Sequence, residues 1–150
     1  MKKRKNWLRW VGPGFLVLLL DRVVKWLYLA GGAVFPDGAE LPTVKNTGMA
    51  FGMFQGNSFV ILVVSVLLIG GCAFLLRGMR LSGLVPIALS MILGGAAGNM
   101  IDRLAYGYVI DMIPFFQWFV FNVADAGVVV GAVLCGWSLL FRPQDWRKNE

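Results

Sequence analysis

Residues 58–76 contain no charged side chain, and apolar runs of similar length recur on either side of them. A run of about 20 apolar residues is what an α-helix needs to cross the hydrocarbon of a bilayer. Only helices and closed barrels satisfy their backbone polar groups there. Charged residues make up 15% of the chain, against about 25% in soluble domains. The expectation is one membrane-embedded domain over all 150 residues, all-α, with four transmembrane helices at about 9–31, 58–76, 83–105 and 121–141.

The basic residues orient those spans. Five of the 14 Lys and Arg fall in residues 1–9, two in the turn 77–80 and three in the tail after residue 141. Short cytoplasmic loops carry such an excess. These clusters share one side only if both termini are cytoplasmic. The net charge of +6 is therefore read as membrane topology, with no nucleic-acid partner. A basic start followed by an apolar run also describes a secretory signal peptide. Here Asp21, Arg22 and Lys25 continue the apolar run instead of ending it, so an uncleaved first span is the better reading.

Two exclusions follow from single residue types. The chain has no His, which removes Ser-His-Asp and Cys-His catalysis and every His-ligated metal. Cys72 and Cys135 lie inside apolar runs without a CxxC partner, so they read as small packing residues. No metal and no cofactor are expected.

Residues 32–57 form the one long non-helical segment, with two prolines and repeated glycines. Short strand pieces fit residues 40–45. Residues 49–54 are apolar without a span's length and read as an interfacial piece. Ser82-Gly83 is expected to open the third span, and Pro114 to end the extended stretch after it.

The chemistry concentrates in residues 94–125, which hold Asp102, Asp111 and Asp125 together with Asn99, Arg103 and Asn122. Ionisable groups at or near membrane depth are costly and mark function. Asp111 follows the third span and Asp125 begins the fourth, so both reach the outer interface. Two carboxylates sharing one proton can activate water and polarise a carbonyl together. Asp21 and Lys25, four apart, share a helix face and can pair. Asp102 needs a counter-charge, from Arg103 or Lys25. Asn122, three before Asp125, fits a helix N-cap, and Asn46 fits a turn. Spacing alone leaves open peptide hydrolysis, a small proton-coupled membrane transporter with Asp21, Asp102, Asp111 and Asp125 as relay, and a non-catalytic assembly factor.

Five separated stretches together resemble the lipoprotein signal peptidases, or signal peptidase II family. They are Asp21-x-x-x-Lys25; Asn46-Thr-Gly48-Met-Ala-Phe51; Gly94-Gly-Ala-Ala-Gly-Asn99-Met-Ile-Asp102-Arg103; Gly107-Tyr-Val-Ile-Asp111; and Phe121-Asn122-Val-Ala-Asp125. The resemblance implies an intramembrane aspartyl endopeptidase that cleaves diacylglyceryl-modified prolipoproteins before the lipidated cysteine. It implies Asp111 and Asp125 as the catalytic pair. Asn46, Gly48, Asn99, Arg103 and Asn122 would line the pocket or hold the substrate backbone, with Asp21, Lys25 and Asp102 as supporting polar residues. Residues 32–57 would supply a small β-rich extracytoplasmic cradle. The implied setting is the bacterial inner (cytoplasmic) membrane, multi-pass, with the active site at the outer face. Globomycin-type cyclic peptides would be inhibitors, and a monomer is expected. The segment between Asp111 and Asp125 is shorter than in many members, and Met49 stands where many have Ala.

Overall fold

In the computed structural model, residues 6–31, 44–48, 56–76, 79–116 and 119–148 are described. The interfacial piece expected at 49–54, residues 32–43 and the basic residues 2–5 lie outside them.

Helix α1 spans Asn6–Leu29, α2 Ser58–Leu76, α3 Val85–Tyr106 and α4 Val123–Phe141. Six three-residue strands pair into three antiparallel ribbons. β1 (Val44–Asn46) lies on β3 (Val109–Asp111), with Val44 opposite Asp111 and Asn46 opposite Val109. β4 (Ile113–Phe115) lies on β5 (Phe119–Phe121). β2 (Met79–Leu81) lies on β6 (Trp146–Lys148), which follows a single 3₁₀ turn at Pro143–Asp145. Because α3 begins just after β2 and ends just before β3, the β2–β6 ribbon occupies the end of the helix bundle opposite the other two. The fold is thus mostly helical with small sheets. Among the described residues, α3 and α4 are long and apolar enough to cross a membrane.

The bundle is inverted relative to a soluble core. Phe59 is 75% exposed and Trp26 68%, whereas Asp21, Asp102 and Asn122 are 0% exposed. Large apolar surfaces with a polar interior are the arrangement a lipid solvent favours.

Without a hydrophobic drive between lipid-bathed helices, small residues let backbones approach. Ser90, Gly94 and Gly98 recur every four residues on α3. A Cβ on Gly94 would strike the carbonyl of Gly14 in α1, and one on Gly14 would strike that of Ser90. Pro13 inside α1 lacks an N–H and disturbs the local ladder. At that point the Gly14 N–H donates to Ser90 Oγ at 2.7 Å. Gly95 faces the carbonyl of Ala124, and Gly127 and Gly131 of α4 sit against Val17 and against Ala88 and Ile92. Thus α1, α3 and α4 close on one another at backbone distance, while α2 packs more loosely on α3.

Three sequence expectations are corrected. α3 starts at Val85 after Leu84, which makes no side-chain cap. The reason is that Ser82 is engaged elsewhere: its hydroxyl donates to Asp145 Oδ1 at 3.2 Å. The carboxylate of Asp145 also fills the space beside Gly83. Pro114 does not end the extended stretch; it sits within β4 opposite Val120. A proline is tolerated there because a two-stranded ribbon has open edges. The fourth helix begins at Val123, because residues 119–121 pair as β5. Cys135 is half-buried and free.

Candidate active site

The ends of α3 and α4 and the β1–β3 ribbon enclose a cavity of about 570 Å³. Asn46, Asn99, Arg103, Asp111 and Asp125 are its polar lining, and Phe115, Phe119, Phe121 and Val128–Val130 are among its apolar lining.

Local sequence explains how each polar group arrives. α3 stops because Gly107 adopts φ 77°, the left-handed conformation that glycine takes without strain, and its N–H caps the Arg103 carbonyl at 3.0 Å. The chain then turns into β3, whose last residue is Asp111. Asn122 holds an extended backbone at the N-cap of α4. Its side-chain oxygen accepts the Asp125 N–H at 2.9 Å, and Asp125 Oδ2 accepts the Asn122 N–H at 3.3 Å. This is a capping box with Asp125 as its third helical residue.

The capping role expected of Asn122 is therefore present, together with a second one. Its amide nitrogen donates to Asp111 Oδ1 at 2.7 Å and to Asn99 Oδ1 at 3.1 Å. Asn99 in turn donates to Asp125 Oδ1 at 2.7 Å. One buried asparagine thereby joins both carboxylates. Asn46 also combines two roles. Its oxygen accepts the Gly48 N–H at 2.9 Å, forming the expected turn, and its amide donates to Asp111 Oδ2 at 2.9 Å. Arg103 donates to the Gly48 carbonyl at 2.9 Å and so ties that turn to α3. Its Nε is buried with no hydrogen-bond partner among the described residues.

Asp111 is 1% exposed, and burial pushes its carboxyl up from 3.8 to about 6. The nearby Asp125 acts in the same direction, while the amides of Asn46 and Asn122 oppose it. Such a carboxyl can hold a proton close to neutral pH.

Beneath this layer lies a second cluster. Lys25 Nζ sits 3.1 Å from Asp21 Oδ1 and 2.6 Å from Asp102 Oδ2. Arg22 pairs with the same two carboxylates, reaching Asp102 Oδ1 at 2.7 Å. The expected Asp21–Lys25 pair is present and buried. The neighbour Arg103 is not the counter-ion of Asp102; Lys25 and Arg22 are. The reason is helical direction: Asp102 projects toward α1, whereas Arg103 projects toward the loop at Gly48. Asn99 and Asp102, although three apart on α3, likewise serve different clusters. Sequence reasoning passed over Arg22. The signal that could have found it is charge balance, since two buried carboxylates need two cations and Lys25 supplies one.

Among the described residues no three His, Cys, Asp or Glu side chains come together as metal ligands would.

A family profile described as Signal peptidase (SPase) II matches residues 14–141. The lipoprotein signal peptidase of Halothermothrix orenii is 39% identical over 125 residues, covering 79% of this chain and 86% of its own. That of Thermodesulfovibrio yellowstonii is 41% identical over 133 residues, covering 80% and 86%. That of Caldanaerobacter subterraneus is 39% identical over 137 residues, covering 84% and 92%. A solved structure described as a bacterial membrane enzyme, determined in meso at 2.3 Å resolution, shares the fold with a TM-score of 0.72 at 20% identity, over 94% of this chain and 93% of its own. The match runs from α1 to the end of α4 and takes in every polar residue of both clusters: the chain belongs to the signal peptidase II family of membrane proteases.

Proposed function

We propose that this chain is an aspartyl endopeptidase that removes signal peptides from diacylglyceryl-modified prolipoproteins, cleaving before the lipidated cysteine, with Asp111 and Asp125 as the catalytic pair. The observation that carries the reading is that two carboxylates from different elements line one cavity and both accept hydrogen bonds from Asn122, Asp111 from its side chain and Asp125 from its backbone N–H.

In this reading the pair shares one proton and titrates as a unit. The ionised member takes a proton from water, which attacks the scissile carbonyl. The protonated member donates to the carbonyl oxygen and later helps the amine to leave. The raised carboxyl of Asp111 supports a proton on the pair near neutral pH. Asn46, Asn99 and Asn122 fix the two carboxylates. Arg103 Nε offers a hydrogen bond to an extended substrate backbone. The apolar walls suit the membrane-borne part of the substrate.

The domain is residues 1–150 as one unit with four spans. The length of α1 (24 residues) and the uncharged α2 (19 residues) support the first two. With the basic clusters inside, both termini are cytoplasmic, and the cavity opens at the outer face of a bacterial inner membrane. The β1–β3 ribbon is part of the extracytoplasmic cradle. The protein acts as a monomer, and globomycin-type cyclic peptides occupy the same cavity. The carrier reading loses ground on one point: Asp21 and Asp102 are paired with Lys25 and Arg22, which leaves a proton relay without two of its members.

The test is a gel-shift assay on detergent-purified protein with a diacylglyceryl-modified prolipoprotein, for wild type, Asp111→Asn and Asp125→Asn, with and without globomycin. Cleavage by wild type alone, blocked by the inhibitor, is expected. Cleavage that persists in both variants would remove the dyad mechanism. An inert, well-folded wild type would remove the peptidase reading.

A further inference from the structure

We propose that Arg22 is a positioning residue for the reaction, the clasp of a charge cluster that sets the separation of Asp111 and Asp125. The proposal rests on the reading of those two residues as the reacting pair. The polar groups of the lower cluster end on backbone atoms with a pattern. Asp21 Oδ1 accepts the N–H of Ala124 at 3.0 Å, and Ala124 immediately precedes Asp125. Asp102 Oδ2 accepts the N–H of Ile110 at 3.1 Å, and Ile110 immediately precedes Asp111. Arg22 Nη2 donates to the carbonyl of Gly98 at 3.0 Å, and Gly98 immediately precedes Asn99, the residue that holds Asp125. Each backbone that carries a dyad carboxylate is thus pinned, one residue upstream, by a carboxylate of the cluster.

Those two carboxylates come from different helices, α1 and α3. The glycine contacts set how closely α1 and α3 approach, and the cations bridging the two carboxylates fix where their heads sit between the helices. Lys25 provides one bridge through a single ammonium. Arg22 provides the other. Its guanidinium reaches Asp21 through Nε and Nη2, Asp102 through Nη1, and Gly98 through Nη2. A planar fork hydrogen-bonds Asp21 and Gly98 while its other nitrogen ion-pairs with Asp102, in a way an ammonium on a flexible stem does not. Arg22 also completes charge balance, two carboxylates against two cations. Each carboxylate accepts one of the two backbone N–H groups, Asp21 that of Ala124 and Asp102 that of Ile110. Arg22 does not itself line the substrate cavity, so its loss removes no contact to substrate. The expected defect is therefore in turnover and not in substrate binding.

The experiment measures kcat, KM and thermal stability for full-length wild type, Arg22→Gln and Arg22→Lys in detergent, on the lipid-modified prolipoprotein, with rates normalised to folded protein. Misplacement of reacting groups by about 1 Å costs on the order of 100-fold. Arg22→Gln is expected to lose about 100-fold in kcat with KM within about twofold of wild type. Arg22→Lys keeps the charge but loses the fork. It is expected to recover wild-type stability while kcat stays down by about tenfold. If Arg22→Gln does not fold, Arg22→Lys alone decides. Wild-type kcat in either variant, a KM that rises in step with the loss, or full recovery of kcat by Arg22→Lys would overturn the assignment. Absence of turnover in wild type itself would instead overturn the peptidase reading and this proposal with it.

Discussion

Asp111→Asn should make the protein more stable at neutral pH while removing its turnover. Burial raises the Asp111 carboxyl from 3.8 to about 6. The unfolded chain therefore releases this proton at lower pH than the folded protein does. Folding is unpenalised below 3.8 and loses stability as pH climbs to about 6, beyond which the loss is constant. A rise of about two units at roughly 1.36 kcal/mol each gives a loss of about 3 kcal/mol at pH 8. Asp111 lines the open cavity, so solvent screening lowers this figure, which is an upper bound. An asparagine at 111 carries no such penalty. It has a cost of its own, because Asn46 and Asn122 both donate to this side chain. The new amide NH₂ must face one of those donors, at roughly 1–2 kcal/mol. The variant should thus be about 1–2 kcal/mol less stable than wild type at pH 4 and gain on it as pH rises, by up to about 3 kcal/mol at pH 8. The assay is thermal unfolding of both proteins in the same detergent from pH 4 to 8, read as the difference between them. Subtraction cancels, to first order, every titrating group the two share except Asp125, whose titration is coupled to position 111. A difference that stays flat across this range, or that favours wild type more as pH rises, would refute the reasoning that burial dominates at Asp111.

Other outcomes follow from the packing. Gly95→Ala should cost about 1–3 kcal/mol and most of the activity, because its Cβ would strike the Ala124 carbonyl beside Asp125; Gly136→Ala, which meets nothing, should be neutral or slightly stabilising, and paired melts and rates check both. Lys25→Met should be severely destabilising, by about 3–5 kcal/mol, because it leaves Asp21 and Asp102 buried with one cation between them; a melt close to wild type would contradict that ion pairing. Asp145→Ala should lower stability while leaving kcat near wild type. It removes the acceptor of Ser82 and the partner of Ser138 and Arg142 at the end of the bundle opposite the cavity, and a proportional loss of kcat would place that end in the reaction.

Much of this protein was legible one residue at a time. The charge-free run at 58–76 is α2 to the residue, because apolar runs in lipid have few alternatives to a helix. The pairing of Asp21 with Lys25 follows from a spacing of four on a helix. The N-cap at Asn122 follows from an asparagine three residues before an aspartate at a helix start. The five motifs, read together, pointed to the family that the comparisons show.

Direction across helices was not legible. Nothing in Asp102-Arg103 reveals that the two side chains diverge, one toward α1 and one toward the loop at Gly48. Nothing in Asp21-Arg22 reveals that Arg22 closes a cluster reaching 80 residues along the chain, to Asp102. The tail after residue 141 reads as a polar, basic end, yet Trp146–Lys148 pairs with Met79–Leu81 and Asp145 is buried. Sequence determines periodicity, charge balance and local caps, because these depend on neighbours a few bonds away. Which carboxylate meets which cation, and which two aspartates share an asparagine, depends on how closely glycine faces let the helices approach, and that distance exists only in the assembled bundle.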